Sequence, residues 1–594
     1  MTAPASRQRG AALLVMLLLF VLGATWFLIS RFDSLNANQT ARERDTNATV
    51  LRLAKRALIG YTIAQANKSG EDNPGALPCP EHAWYIDYND KAGTMGPSTG
   101  VSSPGYGTAN CSSIGRFPWR TIGTDMLVDA VGEPLWYVVG PTWRKTSTST
   151  KTTINSNTAG DLTVDGQQVV ALIIAPGRPM NSAAGTTTAG VTCSARNQAR
   201  VSPVTSAVDP LDYLECYNSA TLAFTASGPS ASTNDQVVAI TAADLMPGIE
   251  ASVANRMERE ITPVLKTVYA SASWGAAVSA THPVYPYPAD FNIGNPSTSN
   301  YHGAAGLSAG LLPFFQTQGC NPATDPRCTT ATTGGSAFLV FSKSGADTYQ
   351  TLVPPLPLGW IRTDSTCSWS GQTYSCTGEY QLTSIKVTLV LRVTNVAMGL
   401  RTFDSSKITC TAVDDAGAGI PQQNLGCTSS VALQSNGSAL VTVTTGWTPD
   451  IVTAGWGTYA NYTISFDRAV FGDHSLLDSN NATTGWFVRN EWYRLLYYVV
   501  ASGYTAAALP SATACTTGTN CLTVTNVTPA GAQRALLILT GASLNGTTRP
   551  SGTLANYLEA GNATGSYVKK EASTGNAIPV ASRFNDRLMV VDSN

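Results

Sequence analysis

The chain has 594 residues, room for more than one hydrophobic core at ordinary domain sizes. Charged residues make up 13% and the formal net charge is −1, which excludes a broad basic field for capturing nucleic acid. The even number of cysteines, 12, with abundant Ser, Thr, Gly, Asn and Ala, points to an exported chain in an oxidising compartment.

Residues 1–10 form a short polar leader with Arg7 and Arg9, ending in Gly10. Ala11–Ser30 follows without a charged side chain. About 20 residues at 1.5 Å each match a hydrocarbon core of roughly 30 Å, which predicts a transmembrane segment over 11–30. Arg7 and Arg9 orient it with the bulk of the chain outside the cytoplasm. Residues 31–66 contain no Pro and only Gly60, and Val50, Leu51, Ala54, Ala57, Leu58 and Tyr61 recur at three- and four-residue steps. That periodicity continues the helix with an amphipathic stretch, about 55 residues and roughly 80 Å in all. Its apolar stripe needs a globular head to cover it. Lys68-Ser69-Gly70 ends the helix, and Pro74, Pro78 and Pro80 prevent its resumption.

Arg9-Gly10 followed by Ala11-Ala12-Leu13-Leu14-Val15-Met16-Leu17-Leu18 resembles the class III leader of type IV prepilins and type II secretion pseudopilins. The resemblance is confined to the N-terminal region. It implies cleavage after Gly10 by a prepilin peptidase, N-methylation of Ala11, and an apolar helix that is first an inner-membrane anchor and later the packed core of a filament. Most family members carry Glu at the fifth mature position, where it meets the N-terminal ammonium of a neighbouring subunit; here that position is Val15. Members without it are typically minor subunits, often at the filament tip. A plain signal anchor, or a secretory signal cut near Gly23 and Ala24, are the competing readings of the same run.

The cysteines fall as successive neighbours: Cys79/Cys111, Cys193/Cys216, Cys320/Cys328, Cys367/Cys376, Cys410/Cys427 and Cys515/Cys521. Local disulfides are the expectation, although spacing alone does not fix connectivity. Zinc is disfavoured: there is no CxxC pair, and His82, His282, His302 and His474 lack ligand spacing.

An internal duplication runs through the rest. Gly132–Val139, Leu162-Thr163-Val164 and Gln168–Ile174 match Tyr493–Val500, Leu522-Thr523-Val524 and Gln533–Leu539. Arg178-Pro179 is paired with Arg549-Pro550, Tyr213-Leu214-Glu215 and Asn218 with Tyr557-Leu558-Glu559 and Asn562, and Asn234–Ile240 with Asn585–Val591. A second helix is expected over 242–269. The partition is therefore a first pilin-like module over 67–241, the helix and start of a second over 242–290, an inserted β-rich domain over 291–481, and the remainder of the second module over 482–594. In the insertion, Ser384–Thr394 and Tyr462–Val470 alternate with period two as strands do. The expected fold class is α+β: a long N-terminal transmembrane helix, two duplicated helix-on-antiparallel-sheet pilin-like modules, and the inserted β-rich domain.

Catalytic signatures are missing: no GxSxG elbow, HExxH, Walker loop or Rossmann glycine fingerprint, so no enzyme is expected. Asp467, Asp473 and Asp478, with Asn480 and Asn481, make an oxygen-rich stretch suited to Ca²⁺ but without EF-hand positions. No other cofactor is expected. His82 with Asp87 and Asp90 is a weaker cluster, and Trp84, Trp119, Trp136, Trp143 and Trp360 are read as core rather than groove. The expectation is a minor, tip-placed pilus or pseudopilus subunit in the inner membrane, its partners the other pilin subunits, displaying a disulfide-stapled head for initiation, adhesion or substrate contact. An anchored adhesin outside any filament and an anchored periplasmic enzyme are the alternatives.

Overall fold

A computed structural model describes most of residues 8–593, leaving out 82–91, 146–151, 201–208, 227–232, 270–284, 292–306, 314–339, 352–360, 395–400, 447–458, 506–519 and a number of shorter stretches. Helix α1 runs from Gln8 to Ala66. The rest is mostly β.

Two expectations need correction here. Among the described residues no helix is long and apolar enough to cross a membrane. The apolar side chains described on the N-terminal part of α1 are those within 13–27. Gly23, Ala24 and Thr25 dilute that stretch, and Thr25 turns its hydroxyl back to donate to the Val21 carbonyl. The fold class headed by a transmembrane segment over 11–30 is replaced by a mostly β chain with few helices. The single-pass inner-membrane location loses its support with it.

The chain divides into two units. The first comprises 1–64, 75–152 and 158–245. Its sheet has the order Gln236–Ile240, Ala171–Ala175, Trp136–Val139, Ile114–Arg116, antiparallel throughout. The two inner strands are buried along their whole length, which is why they read as continuous apolar runs. The C-terminal part of α1 buries Leu51, Ala54 and Leu58, the stripe its periodicity marks out. Lys55 fixes the helix by donating to the Ala239 carbonyl (2.9 Å) and pairing with Asp244 (3.0 Å). Asn47 takes the Ala130 N–H at 2.6 Å. Leu162–Val164 pairs in parallel with Ala223–Phe224, and Trp136, Leu162, Leu172, Tyr213 and Phe224 share one core.

The second unit comprises 65–74, 153–157 and 246–594. Its first sheet has the order Ala309–Leu311, Leu496–Val500, Gln533–Leu539, Arg587–Ser593, again antiparallel, with Val524–Thr525 and Tyr567–Val568 paired in parallel beside it. The outer strand Ala309–Leu311 lies within the segment assigned to the insertion. The helix expected over 242–269 is two, Ala242–Glu260 and Thr262–Tyr269, parted just before Pro263, which lacks an N–H to continue the ladder. Ile249, Val253, Met257, Ile261 and Leu265 are buried at four-residue steps. Lys266 ties the second helix to Asp592 at 2.8 Å. Arg256 is fully buried: it bonds Glu260 at 2.8 Å, lies 4.4 Å over the Trp486 ring and donates to the Glu71 carbonyl. Removing Glu260 would strand that guanidinium.

Most of the remaining strands of this unit form a β-sandwich. One sheet is Val340–Lys343, Ile385–Thr394, Ala439–Gly446, Thr428–Leu433, with Thr348–Thr351 also on Ile385–Thr394. The other is Ile361–Ser370, Thr373–Gln381, Tyr459–Asp467, Ile408–Asp414, Gly419–Ile420. Alternation decides the faces: Val387, Leu389, Leu391 and Val441 from one sheet meet Cys376, Cys410, Ile464 and Phe466 from the other. Elsewhere on these strands, hydroxyl pairs such as Ser375–Ser465 (2.9 Å) and Thr388–Thr444 (3.1 Å) link neighbours. A polar cluster joins the sheets, where buried Asp347 accepts from Lys343 (3.1 Å), the Ser365 hydroxyl (2.8 Å) and the Tyr462 hydroxyl.

Three disulfides form as expected: Cys79–Cys111, Cys367–Cys376 and Cys410–Cys427. Cys521 is also disulfide-bonded. The pairings of Cys193, Cys216, Cys320, Cys328 and Cys515 lie outside the described residues.

Candidate functional site

The feature that most needs a partner is the N-terminal part of α1. Every large apolar side chain described from Leu13 to Phe27 is exposed, Phe20 by 79%, Trp26 by 76% and Val15 by 59%. Burying one such side chain is worth about 1.5–3 kcal/mol, so a continuous run left in water marks a surface that another molecule covers. Arg9, Gly10 and Ala11 fall in the first turns of this helix, and Arg7 lies outside the described residues. Arg31 closes the apolar stretch with its guanidinium 5.3 Å over the Phe27 ring.

The remaining candidates come apart. Asp467 ends the strand Tyr459–Asp467 and Asp473 the short strand Phe471–Asp473, while Asp478 lies outside the described residues. No group of three metal-binding side chains occurs among the described residues. His82, Asp87, Asp90, Trp84 and Trp360 are likewise outside them, whereas Trp136 and Trp143 are buried core. A groove of about 520 Å³ in the second unit is lined by Ala254, Asn255, Glu258, Lys569, Arg587 and Met589 among others. Two of its three cations are met by carboxylates: Lys569 by Glu258 (3.5 Å), Arg587 by Glu571 (3.4 Å).

Sequence reasoning missed a polar arrangement that occurs in both units. In the first, Arg200 donates to the Gly177 and Tyr213 carbonyls and lies 5.4 Å over the Tyr213 ring. In the second, Arg549 donates to the Gly541 and Tyr557 carbonyls and lies 4.7 Å over the Tyr557 ring. The counterpart of Arg549 is therefore Arg200, not Arg178 as the Arg-Pro match suggested. Beside each arginine sits a pair of carboxyls, Glu215 with Asp235 and Glu559 with Asp586. The repeated Tyr-Leu-Glu and Asn-Asp blocks contained the signal, since the same acids recur in both copies.

Burial also raises two other carboxyls. Glu81 is pushed up to about 6 by desolvation, opposed by the Gly93 N–H it accepts at 2.6 Å and by Arg116 and Arg120. Glu250 is pushed up to about 7 by desolvation, opposed by hydrogen bonds from Ser156 and the Ala542 N–H. Comparison with protein-family models, with curated proteins and with solved structures finds no match.

Proposed function

We propose that this chain is a minor subunit of a type IV pilus or type II secretion pseudopilus, placed at the tip and assembled through the apolar N-terminal part of α1. The observation that carries this reading is the contrast between the two parts of that helix. Leu51, Ala54 and Leu58 are buried, while Leu13–Leu22, Trp26 and Phe27 are all exposed. An exposed apolar helix is what a filament core takes up, and equivalent helices of other subunits would cover it. The Arg9-Gly10-Ala11 boundary supplies a cut that leaves the rod attached to the mature chain. Val15 leaves no carboxylate to pair with a preceding subunit's ammonium, which favours a terminal place. The sandwich and the two sheets would form the displayed head, with initiation, adhesion or substrate contact as its work.

The test is recovery of the chain with sheared filaments. Cysteine at Leu17 (L17C) should cross-link to the apolar helix of a shaft subunit, and Leu17→Asp with Leu18→Asp should abolish co-purification, because unpaired carboxylates would be buried in the packed core. Equal recovery of the double variant would reject assembly through this helix.

A further inference from the structure

Two carboxyl groups meet in each unit in the same way, one of each pair buried, Glu215 and Asp586, and the other half-buried, Asp235 and Glu559. In the first, the Glu215 N–H donates to Asp235 Oδ2 and the Asp235 N–H donates to Glu215 Oε2, both at 3.0 Å. In the second, the Glu559 N–H donates to Asp586 Oδ2 at 2.9 Å, and the Asn585 and Asp586 N–H groups donate to Glu559 Oε2 at 3.0 and 3.1 Å. Asn562 adds a bond to Asp586 Oδ2 at 3.0 Å. Glu215 Oε1, Asp235 Oδ1 and Asp586 Oδ1 are buried and receive no donor from the protein. The reciprocal backbone bonds bring the two carboxyls of each pair side by side. Two carboxyls held together around buried oxygens that no donor reaches call for a proton between them.

We propose that Glu215 with Asp235, and Glu559 with Asp586, each hold one shared proton, making two acid-closed clasps that fasten a turn to the head of a strand. The turns are 213–215 and 557–559, and the strands are Gln236–Ile240 and Arg587–Ser593. Each pair has an arginine near it, Arg200 by Asp235 and Arg549 by Glu559 and Asp586, and neither arginine donates a hydrogen bond to those carboxyls. Arg200 donates through its two terminal nitrogens to the Pro176, Gly177 and Tyr213 carbonyls and pairs with Glu133 at 3.3 Å, while its Nε reaches no acceptor. Arg116 donates to the Tyr213 hydroxyl at 3.2 Å, and Asp129 on the same side adds negative charge, accepting the Gly177 N–H at 2.8 Å. In the second unit Arg549 spends its donors on the Gly541, Asn556 and Tyr557 carbonyls, and Glu250 accepts the Ala542 N–H. Arg587 beside it is met by Glu571.

Burial raises Glu215, Asp235 and Asp586 above their ordinary range, and the neighbouring carboxyl raises the two aspartates further. The folded chain therefore holds protons that the unfolded chain gives up. The clasp's stabilisation is complete below the ordinary carboxylate range and is lost as pH rises through the raised folded values. Loss of the proton puts two charges in one buried site and drives each turn from its strand.

The experiment is hydrogen exchange on the full chain at about pH 5 and about pH 8.5, corrected for intrinsic rate, with Glu215→Gln and Glu559→Gln beside the wild type. Gln carries a fixed N–H donor where the proton would sit. In the wild type, protection of the amides at 215, 235, 559 and 586 should fall about tenfold or more at the higher pH, while amides of the inner strands 171–175 and 533–539 hold. In each Gln variant the local fall should vanish. An equal fall in wild type and Gln variants, or none in the wild type, overturns the proposal. Infrared spectra of the wild type alone give a second reading, independent of whether the variants fold. A protonated carboxyl band should persist at neutral pH, assigned by isotope-labelled Asp, and its absence is equally decisive.

Discussion

Glu250 shows how far a single buried acid biases the chain toward mild acidity. With its folded value near 7 against an ordinary value of 4.5, its contribution is complete below the ordinary value and is lost as pH rises through about 7. The cost of ionising it in place is about 3 kcal/mol by the pH 7–8 range. Glu250→Gln should flatten the fall in melting temperature between about pH 5 and pH 8, measured by calorimetry; an unchanged slope would show that Glu250 is not the titrating group. Glu81, at about 6, pulls the same way in the first unit. Its partner Gly93 is bound to be glycine for two reasons. Its φ is +75°, and a Cβ there would lie 2.3 Å from the Trp119 ring. Gly93→Ala should cost about 1–3 kcal/mol in chemical denaturation.

Element by element, α1 is two helices in one. Leu58 is fully buried, and Leu58→Ala should cost about 2–5 kcal/mol of unfolding free energy. Leu17 is 62% exposed, and Leu17→Ala should change head stability by less than about 0.5 kcal/mol while weakening assembly. Denaturant titration separates the two. The buried stripe was legible in the sequence because a 3.6-residue period names its own face. Within the inner strands, 171–175 and 535–539 are continuous apolar runs, the pattern of strands covered on both sides. Ala309–Leu311 was not legible: three small residues carry no alternation, and only the pairing with Leu496–Val500 makes them a strand. The Arg200 clamp was hidden for a related reason. Its donors reach carbonyls 23 and 24 residues back and 13 residues on, distances at which no local pattern exists, while Arg178-Pro179 offered a nearer likeness to Arg549-Pro550. Apolar length misled at the N-terminus, where counting residues over 11–30 predicted a membrane span that the described helix does not provide.

Across the whole molecule, stability is distributed among separate cores, each with its own fastening. Cys410–Cys427 closes a separation of 17 residues inside the sandwich, a loop whose closure is worth about 3 kcal/mol. Cys410→Ser with Cys427→Ser should lower the sandwich's stability by about that amount and leave exchange protection of 533–539 unchanged. A uniform loss across the chain would mean that the cores unfold as one. The account of function rests on the N-terminus, and its most direct test is the mass of the N-terminal peptide from chain isolated with filaments. A peptide beginning at Ala11 and carrying one added methyl group is the predicted result; fully active chain still beginning at Met1, with residues 1–10 in place, would contradict it.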